Sequence, residues 1–485
     1  MKASRTAAAD GASKSETWAA GAAEPAASPE PPAEKPSVPA DRDRLAEGKA
    51  LRARVSRSAH AGWTPPADRR DPIDILEESN RDRLPDLIPI RYGRMMQSPF
   101  TFLRGAAAVM ANDLAQTPTS GLRVQACGDC HLMNFGAFAS PERTLIFDIN
   151  DFDETLPAPW EWDVKRLAAS VAVAARHLSA SKRDTRAAAE ECVSAYRERL
   201  RRFSQMSALD VWYTRIAFKD LIHLSRTAEE RKIWEQGAAN ARARTAAHVI
   251  PKLIATVREH RRIIDNLPCI YHPSPIAAFE EEVRSVLKQY RASLPDDRRV
   301  LLDRYHLVDA AIKVVGVGSV GTRCAVVYLE AGPDDFLVLQ IKQAGRSVLE
   351  CHTDKCAYAN QGQRVVVGQR IMQSASDIFL GWARAETHGF DFYVRQMRDM
   401  KGSVPLEAMT PGDLTDYAEY CGWALARAHA KSGDATQITG YLGKNNVFDE
   451  AVAEFAVAYA DQTERDHAAL VKAVKSGRLR ATVEK

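Results

Sequence analysis

The sequence predicts an α+β fold in which a helix-rich lobe carries a smaller lobe built on an antiparallel sheet. Three observations lead there. Apolar residues recur at helical spacing over long stretches, as Val164, Leu167, Ala168, Val171 and Ala175 do along one side of a helix starting near Trp162. The texture changes near residue 308, where 310–315, 324–329 and 336–342 are short, β-branched and strand-like. After Leu414 the chain reads as helix again, ending in a polar tail.

Taken in order, residues 1 to about 45 are Ala, Pro, Glu, Ser and Lys with almost no large apolar groups. They bury too little to offset ordering entropy, so a disordered tail over 1–60 is expected. Residues 91–114 read as helical, with Phe100, Phe102, Leu103, Val109, Met110 and Leu114 as the apolar set. Short strands at 122–126 and 144–149 bracket a polar loop. A long, charged, helix-rich stretch fills 185–300, with the basic patch 258–262 as a solvated helix face. Residues 361–376 suit a helix and 390–396 a strand. The expected division is 61–300 as the helical lobe, 301–400 as the β-rich lobe, and 401–485 returning to the large lobe.

Bulk properties narrow the function classes. The 66 basic and 63 acidic residues leave a net charge of +3, which offers no electrostatic case for a nucleic-acid binder. No apolar run approaches the roughly 18 residues needed to cross a bilayer, so no membrane partner is expected. The eight cysteines are scattered through a long chain whose N-terminus has no continuous apolar core, which points to reduced thiols and a cytoplasmic setting.

The chemistry concentrates in Gly128-Asp129-Cys130-His131-Leu132-Met133-Asn134-Phe135-Gly136 and in Phe147-Asp148-Ile149-Asn150-Asp151-Phe152-Asp153. An Asp, an Asn five positions on, and a later Asp are the set that kinase-type phosphoryl transfer uses. The first Asp handles the acceptor hydroxyl, while the Asn and the later Asp hold Mg²⁺. Cys127-x-x-Cys130-His131 also spells a c-type haem attachment pattern. That chemistry requires export, which the N-terminus does not encode. A zinc site would need a second Cys pair at matching spacing, and none is present.

The second half supplies complementary parts. Gly316-Val317-Gly318-Ser319-Val320-Gly321 lies between two predicted strands, whereas a dinucleotide fold would place a helix directly after it. A hairpin with glycines can cover ATP phosphates, because a Cβ would obstruct close backbone approach. The next strand ends in Leu339-Gln340-Ile341-Lys342, whose Lys would reach the phosphates. Glu350 is the nearest downstream acid that could hold that Lys. The glycine loop follows the Asp/Asn loop instead of preceding it, and the helical 420–430 segment lies near the C-terminus. Circular permutation accounts for that order.

Gly128-Asp129-x-His131-x-x-Asn134, Asp148-x-x-Asp151 and Asp163-x-x-Arg166-Leu167-Ala168 resemble the signatures of aminoglycoside and choline kinases. The resemblance implies a protein-kinase-like two-lobed fold in circularly permuted order. It implies Asp129 as catalytic base, Asn134 and Asp148 as Mg²⁺ ligands, and Asp151 as a second metal or phosphate contact. Asp163 would brace the loop, and His131 would hydrogen-bond it. Those kinases usually have His before Gly-Asp, where this chain has Cys127. Over about 90–435 the chain also resembles the uncharacterised bacterial family called domain of unknown function 2252. The matching stretches include Ser98-Pro99-Phe100, Asn150-Asp151-Phe152-Asp153-Glu154, Gly368-Gln369-Arg370, Tyr393-Val394-Arg395-Gln396 and Ala428-His429-Ala430.

The expected activity is an ATP- and Mg²⁺-dependent phosphotransferase acting on a hydroxyl of a small molecule. Gly316, Gly318, Ser319, Gly321 and Lys342 would hold the nucleotide. Arg104 would either bind phosphate or an acidic substrate, or pair with a carboxylate of 150–154. A catalytically silent nucleotide-binding module and an adenylyl transferase on the same fold stay open.

Overall fold

Helical periodicity in the sequence becomes a helical body, and the β-branched runs become one large sheet beside it. The computed structural model describes residues 41–483 apart from 226, 244–252, 258–259, 398–401 and 403–404. The body is centred on the Trp160–His177 helix, buried at every position from Trp160 to Ala175. From Leu167 to Ala175 this helix is apolar or small on all sides, which suits the interior, and three longer helices surround it: Lys182–Phe203, Pro411–Ser432 and Val447–Lys475. Gly422 lets two of these approach closely, since a Cβ there would lie 2.3 Å from the Cys192 carbonyl.

All strand pairings are antiparallel. β1 (Arg123–Ala126) pairs with β4 (Leu156–Pro159), and β2 (Phe135–Ala139) with β3 (Leu145–Ile149). A hairpin of β5 (Ile254–Val257) and β6 (His260–Ile263) follows. The large sheet has the order β11-β12-β10-β9-β8-β7. Its strands are β7 (Ile270–Tyr271), β8 (His306–Lys313), β9 (Cys324–Gly332), β10 (Asp335–Ala344), β11 (Gly381–Arg384) and β12 (Asp391–Gln396). The Ile276–Ser293 helix covers one face through Val283, Val286 and Tyr290, which share a core with Val327, Leu339 and Val394. The glycine-rich segment joins β8 to β9 with no helix after it.

Several expectations are corrected. The 185–300 stretch is not helix throughout: β5, β6 and β7 interrupt it. Within the basic patch, Arg258 and Glu259 lie outside the described residues, while Arg261 and Arg262 sit on β6 and pair with Glu330 and Asp309. Alternation at 260–263 is too short to outweigh the surrounding helical composition in a sequence reading. The helix expected at 361–376 ends at Met372, and 91–114 is three helices, Ile88–Met95, Pro99–Gly105 and Ala107–Leu114. Residues 41–485 pack as one unit rather than as separable domains.

The tail expected over 1–60 is ordered from Asp41, and residues 1–40 lie outside the described residues. Asp41–Ala50 is a helix whose Gly48 meets the backbone at Gln437, while Gly440 meets the backbone at Leu45. Two glycines let the backbones touch, so no apolar stripe was needed. Further on, His60 is 1 % exposed and shares a 2.7 Å hydrogen bond with the Tyr441 hydroxyl. Burial, with Lys165 adding to it, pushes His60 down to about 3. Because the unfolded chain binds a proton that the folded one refuses, His60 contributes stability above pH 6.5 that is lost as pH falls towards 3. Its share of the slope is about 1.4 kcal/mol per pH unit. His60→Asn is expected to remove that one-proton dependence from unfolding free energies measured between pH 6 and 4.

Candidate active site

Gly128 opens the Asp/Asn loop with φ +82°, and a Cβ there would lie 2.4 Å from the Glu154 carbonyl oxygen. Only glycine lets the loop cross the 150–154 segment so closely. Asp163, on the first turn of the central helix, accepts the amides of Cys127 at 2.6 Å and Gly128 at 2.9 Å. His429 stands 3.2 Å from the same carboxylate through Nε2, and its Nδ1 meets the Tyr196 hydroxyl at 2.9 Å. An imidazole thus reaches this cluster from the Pro411–Ser432 helix.

Asp129 is held by Arg166, whose Nε donates to Oδ1 at 2.7 Å and whose second nitrogen contacts the same oxygen. Arg166 is fully buried and also donates to the Leu103 carbonyl at 3.0 Å. Among the described residues Oδ2 of Asp129 has no such partner. Burial pushes Asp129 above the ordinary carboxyl value, with Arg166 pulling against it. Asn134 donates through Nδ2 to the Asp129 carbonyl at 2.7 Å, which leaves its Oδ1 directed elsewhere. Its own carbonyl accepts the Asn150 amide at 2.9 Å, tying the loop to the acidic segment.

His131 departs from expectation. Its amide bonds the Asp129 carbonyl, but among the described residues its buried imidazole makes no hydrogen bond, and Nε2 stands 4.0 Å from Asp129 Oδ2. Burial, with Arg104 and Arg166 nearby, holds it well below its ordinary value, so it is neutral. Cys127 and Cys130 are fully buried, and burial pushes the Cys130 thiol well up, which removes thiolate chemistry from the C-x-x-C-H pattern.

Asp148 is the main correction. Oδ1 accepts from Arg427 at 2.7 Å and from the Ile149 amide at 2.9 Å. Oδ2 accepts from Arg427 at 2.8 Å and from both the amide and hydroxyl of Ser374 at 2.8 Å. Both side chains of the ion pair are fully buried. With its lone pairs taken and no solvent path, Asp148 is a junction between β3 and the Pro411–Ser432 helix, not a metal ligand.

Asp151 and Asp153 point the other way. Lys342 on β10 pairs with Oδ2 of Asp153, the Tyr393 hydroxyl donates to Oδ1 at 2.7 Å, and the Ser319 hydroxyl donates to Oδ2 at 3.2 Å. Burial works against charge on both ion-pair partners. Even so, Lys342 holds the Asp153 carboxyl below its ordinary value, and Asp151 with Asp153 hold Lys342 well above its own. The partner of Lys342 is therefore Asp153. Glu350, the acid expected there, instead accepts the Cys356 amide at 3.4 Å. The Gln361–Met372 helix contributes Arg364, which donates to the carbonyls of Asp153, Thr155 and Gly345.

Part of this set borders a cleft of about 830 Å³ between the sheet and the β2–β3 hairpin. Asp151, Gly316, Ser319, Lys342 and Arg395 line it; Asp129, Asn134, Gly318 and Gly321 do not. Arg143, Lys313, Lys342 and Arg395 outnumber the lining carboxylates Asp151 and Asp377. Asp129 lies close enough to Asp151 and Asp153 to feel their charge. The Cys127 thiol reaches the Asp151 carbonyl at 3.3 Å.

The glycine loop is seated from outside as well. Gly316 has φ +68°, and its carbonyl accepts from Arg94 at 2.6 Å. Arg83 donates to the Val320 carbonyl at 2.5 Å, and the Leu84 amide to the Gly321 carbonyl at 2.8 Å. A Cβ on Gly318 would lie 3.0 Å from the Arg104 carbonyl oxygen.

Sequence reasoning gave no site role to Tyr393, Arg166 or Arg427, and did not name Asp153 as the partner of Lys342. Arg427 carried a usable signal: it is the one Arg in the Ala-rich helical run 422–430, where a buried charge demands a buried partner.

Among the described residues, no three His, Cys, Asp or Glu side chains form a set that could hold a metal ion, and no helix is long and apolar enough to cross a membrane. A Mg²⁺ ion commonly needs only one or two protein oxygens when substrate phosphates and water complete its shell. Asp151, which lines the cleft, is a carboxylate of that kind; Asn134 does not line it. Compared with known proteins, the family described as "Uncharacterized protein conserved in bacteria (DUF2252)" matches residues 83–473. No curated protein and no solved structure matches the chain.

Proposed function

The chain belongs to the bacterial DUF2252 family, and from the site it carries we propose an ATP- and Mg²⁺-dependent phosphotransferase on a permuted kinase-like fold, acting on a hydroxyl of a small acceptor. The observation that carries the reading is the Lys342–Asp153 pair, which brings together two segments 189 residues apart in sequence. Beside it lies a basic cleft that suits a polyphosphate. Lys342 and Arg395 would face the phosphates, with Ser319 and the Gly316 backbone beside them. Asp151 and Asn134 would hold Mg²⁺, which neutralises developing phosphate charge when bound. Asp129 would orient the acceptor hydroxyl and take its proton on Oδ2, the oxygen that Arg166 leaves free.

The test is calorimetry with Mg·ATP on the wild type, Lys342→Met and Asp151→Asn. Metal-dependent binding is expected for the wild type. Lys342→Met should weaken it at least tenfold, about the worth of a charged hydrogen bond, and Asp151→Asn should remove the metal dependence. A folded wild type that ignores Mg·ATP would overturn the proposal. Binding without ADP release would favour a silent module, and AMP left on an acceptor would favour adenylyl transfer.

A further inference from the structure

Arg104 follows Leu103, whose carbonyl is bonded by the same Arg166 that holds Asp129. Its own carbonyl abuts the glycine loop at Gly318. Asp129, Asp151, Glu407 and His131 lie within electrostatic reach of its guanidinium. Yet among the described residues Arg104 makes no hydrogen bond and no ion pair, and its Nε is buried without a partner. The pairing with a carboxylate of 150–154 that the sequence allowed is not made.

The Arg104 side chain is half-buried, so its unpaired guanidinium stays open to a ligand while its buried Nε lacks a partner. Its planar fork matches a carboxylate or phosphate in a bidentate contact. Arg104 does not line the nucleotide cleft, whereas Lys342 and Arg395 do, so its missing partner is not the phosphate chain held there. Its other neighbour, Glu407, lies in the Leu406–Ala408 turn, next to Pro405 and Ala408, which line a separate cavity beyond β2.

We propose that the acceptor carries an anionic group, a carboxylate or phosphate, that docks on Arg104 beside the hydroxyl presented to Asp129. This rests on the phosphotransferase reading for the word acceptor, but the anion site itself does not. The probes are glycerol 3-phosphate, glycerate and neutral glycerol, titrated calorimetrically into the full chain with and without saturating Mg·ATP.

The phosphate and carboxylate probes are expected to bind and glycerol not to. Arg104→Gln should weaken the anionic probes at least tenfold, with Arg104→Lys intermediate and Lys342→Met near wild type. Whichever of the two anions binds more tightly identifies the group. Because Arg104 bonds nothing, Arg104→Gln should leave Tm unchanged or raise it, whereas a structural arginine would lower it. Anion binding that survives Arg104→Gln but disappears in Lys342→Met would place the anion in the nucleotide cleft and overturn the inference. So would equal binding of all three probes, or no binding of any. Failure of Mg·ATP binding with Arg104-dependent anion binding intact would sink the phosphotransferase reading and leave the anion site standing.

Discussion

Replacing Asp129 by Asn is expected to lower ADP formation from Mg·ATP by about 10²–10⁴-fold, the range of a lost general base, while Mg·ATP affinity stays close to wild type. The amide keeps an oxygen for Arg166 but cannot accept a proton, so binding and turnover should separate. The wild-type rate should fall on the acid side as Asp129 protonates. Burial outweighs Arg166 and raises its pKa, so that limb should lie at higher pH than an ordinary aspartate would give. Full turnover by Asp129→Asn, in a single-turnover assay with labelled ATP, would remove Asp129 from the chemistry.

Arg427→Met is expected to cost about 3–5 kcal/mol of unfolding free energy, since it strands the fully buried Asp148 carboxylate. Urea denaturation measures it directly. Asp148→Leu should cost a similar amount by stranding Arg427. The double variant should lose less than the two singles added together, because each single leaves a lone buried charge and the double leaves none. A loss under about 1 kcal/mol for Arg427→Met would mean that Asp148 has another strong partner. The metal assignment for Asp148 would then return.

That the stretch opening at Gly128 is a loop following a short strand was legible in the sequence because its residue types are local. So was the strand–loop–strand setting of the glycines, since no helical run follows Gly321. What it hid were pairings set by long-range packing. Asp148, Asp151 and Asp153 are equivalent as letters, yet one is consumed by Arg427, one lines the cleft and one holds Lys342. Only the sheet's position against the 150–154 segment decides which is which. Glu350 was preferred to Asp153 for Lys342 because it is near in sequence, whereas the contact runs across nearly two hundred residues. The Asp41–Ala50 helix escaped because its packing relies on glycine at close backbone contact, which leaves no hydrophobic signature.

The grip of Arg83, Leu84 and Arg94 on the glycine loop has a consequence for anyone dissecting the chain. A fragment cut to the sheet alone, 301–400, would express strands whose glycine loop has lost the outer support of all three residues. The family match opens at residue 83, the first of them. Truncation series and domain grafts should therefore treat the segment from Arg83 to Gly105 as the loop's own backing plate, carried with it in every piece meant to bind a nucleotide.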